Sequence, residues 1–156
     1  MQQFLSRIFL FIILIVSASL ASSELYFLPI DGKKAQTKIL KLFKNSKHSI
    51  DIAMYNFKDK KLRKALKKAY NKDIDIKLYL DKEKSKKSKI DFMEYKTFNQ
   101  KLHIKAAVFD KKTVVFGSAN WKKESFNDNL EVIYISDDEK IVKKFNKMFK
   151  KLSNYK

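Results

Sequence analysis

The sequence predicts an α/β fold, a mixed β-sheet sandwiched between α-helices, on three observations. Segments whose apolar residues alternate with period two are interleaved with segments whose apolar residues recur every three and four positions. The 156 residues amount to about one domain, and a content of 45% hydrophobic and 33% charged residues lies inside the globular range. Neither an internal repeat nor a linker interrupts the alternation, so residues 24–156 are read as a single domain.

The first 23 residues stand apart. Arg7 precedes the apolar run from Ile8 to Val16, and the small residues Ser17, Ala18, Ser19, Ala21, Ser22 and Ser23 follow. That is the order of a secretory signal, with cleavage expected after Ala21 or, as second choice, after Ser23. The alternative is an uncleaved N-terminal anchor, which would associate the protein with a membrane. Either reading makes the protein exported, to the bacterial periplasm or the medium. No cysteine is present, which excludes lipoprotein attachment, disulfides, Cys-based zinc sites and thiol nucleophiles.

Beyond Glu24 the elements follow in turn. Residues 26–30 read as a strand stopped by Asp31-Gly32, and 34–44 as a helix with Ala35, Ile39, Leu42 and Phe43 on one side. Ile50, Ile52 and Met54 mark a strand. Asp59 then serves as an N-cap for a helix carrying Leu62, Ala65, Leu66 and Ala69. Ile74, Ile76, Leu78 and Leu80 alternate with polar residues in the clearest strand of the chain. Residues 82–89, rich in lysine and serine, read as a loop, and 90–98 as a short helix. A strand through 102–109, a turn at Asp110-Lys111-Lys112 and a return strand through 113–116 form a hairpin. A strand at 130–135 and an amphipathic helix with Ile141, Val142, Phe145, Met148, Phe149 and Leu152 complete the chain.

The formal charge is +18, from 35 basic and 17 acidic residues, and all but Arg7 of the excess lies outside the leader. Such a surplus points to a polyanionic partner, nucleic acid or an anionic membrane surface. Only Arg7 and Arg63 are arginines. Lysine is a point charge without the planar fork that reads guanine edges, so contact with phosphates irrespective of sequence is expected. The plainer reading is that lysines solvate the surface.

His103 and Lys105 lie two apart on an expected strand, so an imidazole and an ammonium group project from one face while Leu102, Ile104 and Ala106 take the other. Together they can engage one phosphate. The hairpin returns Gly117, Ser118 and Asn120 to the same neighbourhood. Gly117 would allow close backbone approach, and the hydroxyl and amide can bond phosphate oxygens. Asp110, in a turn, is read as structural. His48 is read as a residue at a helix C-terminus, and Trp121 and Phe126 as core residues in preference to base-stacking ones. No carboxylate–histidine cluster with metal-ligand spacing is visible, so neither a metal nor another cofactor is expected.

His103-Ile104-Lys105, Asp110 and Gly117-Ser118-Ala119-Asn120 fit the H-x-K-x(4)-D-x(6)-G-S-x-N signature at every defined position. In these residues the chain resembles the phospholipase D superfamily, and in length its compact bacterial endonuclease branch. Asn129 and Glu131 fall where small members carry an Asn-x-Glu pair. Most members hold two copies of the motif and this chain holds one, His48 being unable to supply the other. The resemblance therefore implies a phospholipase D-like fold with one motif per chain and a homodimer whose subunits share one site. It further implies that His103 of one chain attacks phosphorus, giving a phosphohistidine, while His103 of the partner subunit protonates the leaving oxygen. Lys105 and Asn120 would stabilise charge on the phosphate, Ser118 would bond an oxygen or the ring, and Glu131 would hold His103 by its other nitrogen.

Three functions compete. The first is an exported, metal-independent endonuclease acting on DNA or RNA with little sequence preference. The second is a phospholipid head-group hydrolase of the phospholipase D or cardiolipin hydrolase type, which the sequence disfavours because no apolar surface beyond the N-terminal segment is evident. The third is a binding module without catalysis, which the complete set of motif residues argues against.

Overall fold

The computed structural model describes residues 21–155, so the expected leader falls almost wholly outside the described residues. Among them, strands β1 (Ser23–Leu28), β2 (Ser49–Met54), β3 (Asp75–Leu80), β4 (Lys105–Phe109), β5 (Thr113–Gly117) and β6 (Glu131–Ser136) form one sheet in the order β1-β6-β5-β4-β2-β3. β2 and β3 run parallel, joined by the crossover helix α2 (Lys60–Tyr70), and the other neighbours are antiparallel. The remaining helices are α1 (Gly32–Asn45), α3 (Lys82–Ser85), α4 (Lys123–Asn127) and α5 (Glu139–Asn154).

Helices cover both faces, as the sequence predicts. Ile50, Ile52 and Met54 of β2 pack with Ile39, Phe43, Leu62 and Leu66 of α1 and α2. Ala53, Val108 and Val114 turn the other way and meet Val142 and Phe149 of α5. Period two along the strands thus builds two cores, one on each side of the sheet. Trp121 and Phe126 are each 2% exposed and belong to the first of them, as expected.

Several boundaries differ from the sequence reading. β1 starts at Ser23, and Ser22 already exchanges hydrogen bonds with Asp137, so the fold begins within the last two residues assigned to the leader. Residues 82–85 form a helical turn because the buried Asp81 carboxylate caps them, accepting from the Glu83 and Lys84 N–H groups. Residues 90–98 form no helix. The Lys96 backbone instead pairs with β3, its N–H donating to the Leu78 carbonyl and its carbonyl accepting from Leu80, which commits that segment to a strand-like path. The ladder of β4 starts at Lys105 and that of β6 at Glu131, leaving Leu130 outside and 92% exposed. α1 ends at Asn45, so His48 is not a helical residue.

The β4–β5 connection explains Asp110. Asp110 and Lys111 have φ of 51° and 59°, and the Lys112 N–H donates to the Phe109 carbonyl at 2.9 Å, the two-residue turn whose twist matches a hairpin. From that turn the Asp110 carboxylate accepts the backbone N–H groups of Lys47, His48 and Ser49 at 2.8–3.1 Å, tying the hairpin to the entry of β2. In this position its carboxylate clamps the backbone of two segments. Burial alone would raise the carboxyl, but the Ser49, His48 and Lys47 donors outweigh it and hold the group below the usual carboxylate range.

Asp110→Ala is expected to lower the unfolding free energy by about 2 kcal/mol, the scale of lost hydrogen bonds to a charged group, read from the urea midpoint. Because the native carboxyl titrates below its unfolded value, its contribution is complete above the unfolded pKa and fades as pH falls through the native one. Wild type should therefore lose stability more steeply than the variant on acidification below about pH 5. Parallel curves would contradict the clamp.

Candidate active site

Three chain segments meet at one end of the sheet. The Ala106↔Phe116 and Gly117↔Ile133 pairs, with Met54 opposite Lys105, bring the start of β4, the end of β5 and the start of β6 side by side. Gly117 is needed for that meeting. A Cβ there would lie 2.1 Å from the Val132 carbonyl oxygen, so the close approach the glycine permits is to β6 and not to a ligand.

His103 sits just before the β4 ladder, and its ring is exposed. The neighbouring Tyr55 N–H donates to the Ile104 carbonyl at 2.9 Å, one rung beyond the ladder. This bond holds the Tyr55 ring 4.7 Å from the imidazole, edge to face. The Lys105 Nζ donates to the His103 carbonyl at 2.8 Å and lies 5.3 Å from the centre of the Tyr55 ring. Lys101 and Lys84 approach the same ring at 5.3 and 5.6 Å. Tyr55, Lys84 and Lys101 were not singled out by the sequence. Their only signal is position, one residue past a strand end for Tyr55 and inside lysine-rich segments for the others.

On the β6 side, the Ser118 hydroxyl donates to Glu131 and accepts from the Val132 N–H at 3.0 Å. Glu131 also accepts from Asn129 Nδ2 at 3.4 Å and Ser125 Oγ at 3.5 Å. Within the chain this carboxylate therefore orients Ser118 and makes no hydrogen bond to His103 of the same chain. The Ser118 proton is correspondingly committed to Glu131. The Asn120 amide oxygen is out of solvent with no hydrogen-bond partner, so this side chain is the uncommitted one of the pair.

Electrostatics favour a neutral imidazole. Lys105 first, then slight burial and Lys101, push the His103 pKa below its ordinary value, against a weaker opposing pull from Asp81. Desolvation lowers Lys105 as well, with Glu131 acting to raise it. The surroundings of His103 repel a cation and attract an anion. Among the described residues no group of three His, Asp or Glu side chains gathers where a metal ion could bind.

One expectation fails at this end of the molecule. Leu25 and Phe27, each 53% exposed, with Ile30, Leu130 and Val132, form an exposed apolar strip along β1 and the start of β6, next to Glu131. α5 packs chiefly against β4 and β5 and leaves this end of its face bare. Alternation in sequence reports which residues share a face, not whether anything covers it.

An exposed imidazole whose pKa neighbouring ammonium groups lower thus lies at the end of a mixed sheet covered by helices on both faces, the architecture of the phospholipase D-like fold. Residues 39–153 match the family described as cardiolipin synthase, PLD-like domain, and the chain belongs to that family. It is 27% identical over 127 residues to the mitochondrial cardiolipin hydrolase of Xenopus laevis, covering 76% of this chain and 60% of that protein. The human mitochondrial cardiolipin hydrolase is 21% identical over 130 residues, covering 78% and 52%. The chain thus spans between half and two thirds of the length of these curated relatives. Among solved structures, NucT from Helicobacter pylori superposes with a TM-score of 0.78 at 25% identity, covering 86% of this chain and 96% of that one. Nuc from Salmonella typhimurium, a phospholipase D family member, gives 0.75 at 22%, covering 86% and 95%.

Removing the Lys105 charge by Lys105→Met should raise the titration midpoint of His103, followed through the ring C–H resonances, because the imidazolium loses its nearest repelling neighbour. A midpoint that stays fixed or falls would contradict the electrostatic assignment.

Proposed function

We propose that this chain is an exported, metal-independent endonuclease that hydrolyses DNA, and RNA by the same chemistry, with little sequence preference, and that two chains share one site. The observation that carries the reading is the convergence of Lys84, Lys101 and Lys105 beside an exposed His103, none of the three ion-paired with a carboxylate among the described residues. Such a surface gathers a polyanion by displacing its counterions, and 33 lysines extend it over the chain. The likeness to NucT over nearly that protein's whole length supports the phospholipase D-like architecture on which this reading rests.

The chemistry proceeds in two displacements. The neutral His103 imidazole of one chain attacks phosphorus, forming a P–N bond as the bond to the leaving oxygen breaks, and that oxygen takes a proton from His103 of the partner subunit. The partner imidazole, now neutral, removes a proton from water as the water oxygen attacks the phosphohistidine and frees the first ring. Lys105 and the Asn120 amide stabilise the charge on the non-bridging oxygens. Ser118 and Glu131, bonded to each other, shape the wall of the site, and Asp110, Gly117 and Asn129 hold its strands and loop in place.

One chain carries one such histidine, so the two-histidine reaction requires a second copy. The strip of Leu25, Phe27, Ile30, Leu130 and Val132, at the β1–β6 side of the sheet, supplies apolar surface for a two-fold contact. Export rests on residues 1–23. Cleavage after Ala21 leaves the Ser22 and Ser23 bonds to Asp137 and Ser136 intact, whereas cleavage after Ser23 would remove them.

A phospholipid head-group hydrolase is the second reading. It is favoured by the identity with cardiolipin hydrolases and by the same apolar strip, which could equally rest on a lipid surface.

Residues 22–156 should cleave single- and double-stranded DNA at low salt in the presence of EDTA, with a bell-shaped pH profile belonging to the coupled histidine pair. Strict dependence on added divalent metal would defeat the mechanism, and head-group release from cardiolipin vesicles without DNA cleavage would decide for the lipid reading. Mixing wild type with excess His103→Ala chain should depress activity beyond dilution once subunits exchange. Full specific activity from a monomer would contradict the shared site.

A further inference from the structure

Beside His103 lies a hollow of about 390 Å³ that the proposed mechanism does not use, lined by Tyr55, Asp81, Lys84, Asn99, Gln100 and Lys101 among others. One buried side chain builds it. The Asp81 carboxylate caps the turn that carries Lys84, accepting from the Glu83 and Lys84 N–H groups at 3.2 and 3.1 Å. Through its other oxygen it accepts the N–H of Leu102, the residue between Lys101 and His103, at 3.2 Å. A single carboxylate, 5% exposed, thus fixes both lysine-bearing segments against each other and against the nucleophile. Tyr55 completes the arrangement. Its ring lies beneath both ammonium groups at 5.6 and 5.3 Å and touches the imidazole from the side, so lysines that elsewhere would point into water are drawn together.

Three ammonium groups around one ring repel one another, and no carboxylate within the chain pairs with Lys84 or Lys101 among the described residues. An arrangement that holds like charges together is relieved by an anion. Lys105 faces the phosphate under attack. Lys84 and Lys101 line the hollow, as Lys105 does not, and are left for a second anion, and the amides of Asn99 and Gln100 add donors on the same wall.

We propose that Lys84 and Lys101, seated over Tyr55 and positioned by Asp81, bind the phosphate next to the scissile one on the same nucleic-acid strand. The assignment rests on the nuclease reading and deepens it. The attacked phosphate belongs at His103, the hollow holds its neighbour, and the nucleoside between them spans the Tyr55 ring. The enzyme then prefers substrates with at least two consecutive phosphodiesters, whatever their bases, because the subsite reads charge and spacing alone.

The test compares the dithymidine TpT, with one phosphodiester, and the trithymidine TpTpT, with two, using bis(4-nitrophenyl) phosphate as a substrate without nucleosides. Wild type should have a kcat/KM for TpTpT about tenfold above that for TpT, the worth of one charge-assisted contact. The Lys84→Ala/Lys101→Ala variant should lose most of that preference, while still melting cooperatively. An unchanged preference in the variant, or none in wild type, overturns the subsite while leaving the nuclease reading intact. Release of nitrophenol with no cleavage of either nucleotide overturns the nuclease reading and the subsite with it. If cardiolipin vesicles are then hydrolysed, the second anion is a lipid phosphate and the nucleic-acid assignment is wrong.

Discussion

The register between β4 and β5 decides whether this chain has a site at all. Side chains alternate across a sheet, so a slip of one residue would carry Lys105 to the opposite face, away from the end of β5 that carries Ser118. That register is set at the other end of the hairpin. Asp110 and Lys111 adopt the left-handed backbone a two-residue turn demands, and the Asp110 carboxylate pins the turn to the backbone of residues 47–49. At the site end Gly117 lets β5 and β6 approach closely enough for Ser118 to bridge them. Asp110 and Gly117 therefore serve the chemistry from a distance. Neither needs to touch the substrate.

Charge is the second constraint, and it links affinity to reactivity. Lysines beside His103 surround it with positive charge and, by the same repulsion, lower the imidazole pKa; in the proposed mechanism the first effect draws in a phosphate chain and the second favours the form that attacks. The cost is a crowd of like charges at the end of the sheet. Tyr55 and Asp81 offset it, the first by offering its ring face to the ammonium groups and the second by locking the backbone that carries them.

Much of the fold was legible because β2, β3 and α5 carry unambiguous periods and because Asp59 and Asp110 announce a cap and a turn. The motif residues were legible because their spacing is specific. What escaped is what periodicity does not encode. The turn at 82–85 depends on a cap from a strand-end aspartate, and the 90–98 segment gave up an expected helix for bonds to the edge of β3. The bare strip along β1 arises because α5 crosses only the middle of its face. Glu131 was found by resemblance, and its bond to Ser118 within the chain is set by the β5–β6 pairing and invisible in either segment alone. Tyr55 offered a single aromatic after a strand and nothing to distinguish it.

The central claim is that His103 attacks phosphorus and water enters only in a second step. The stereochemical course tests it most directly. A dinucleotide phosphorothioate of one configuration at phosphorus, hydrolysed in water enriched in oxygen-18, should give product with overall retention, since two in-line displacements invert twice. Overall inversion would mean that water attacks the phosphodiester directly and would contradict the account.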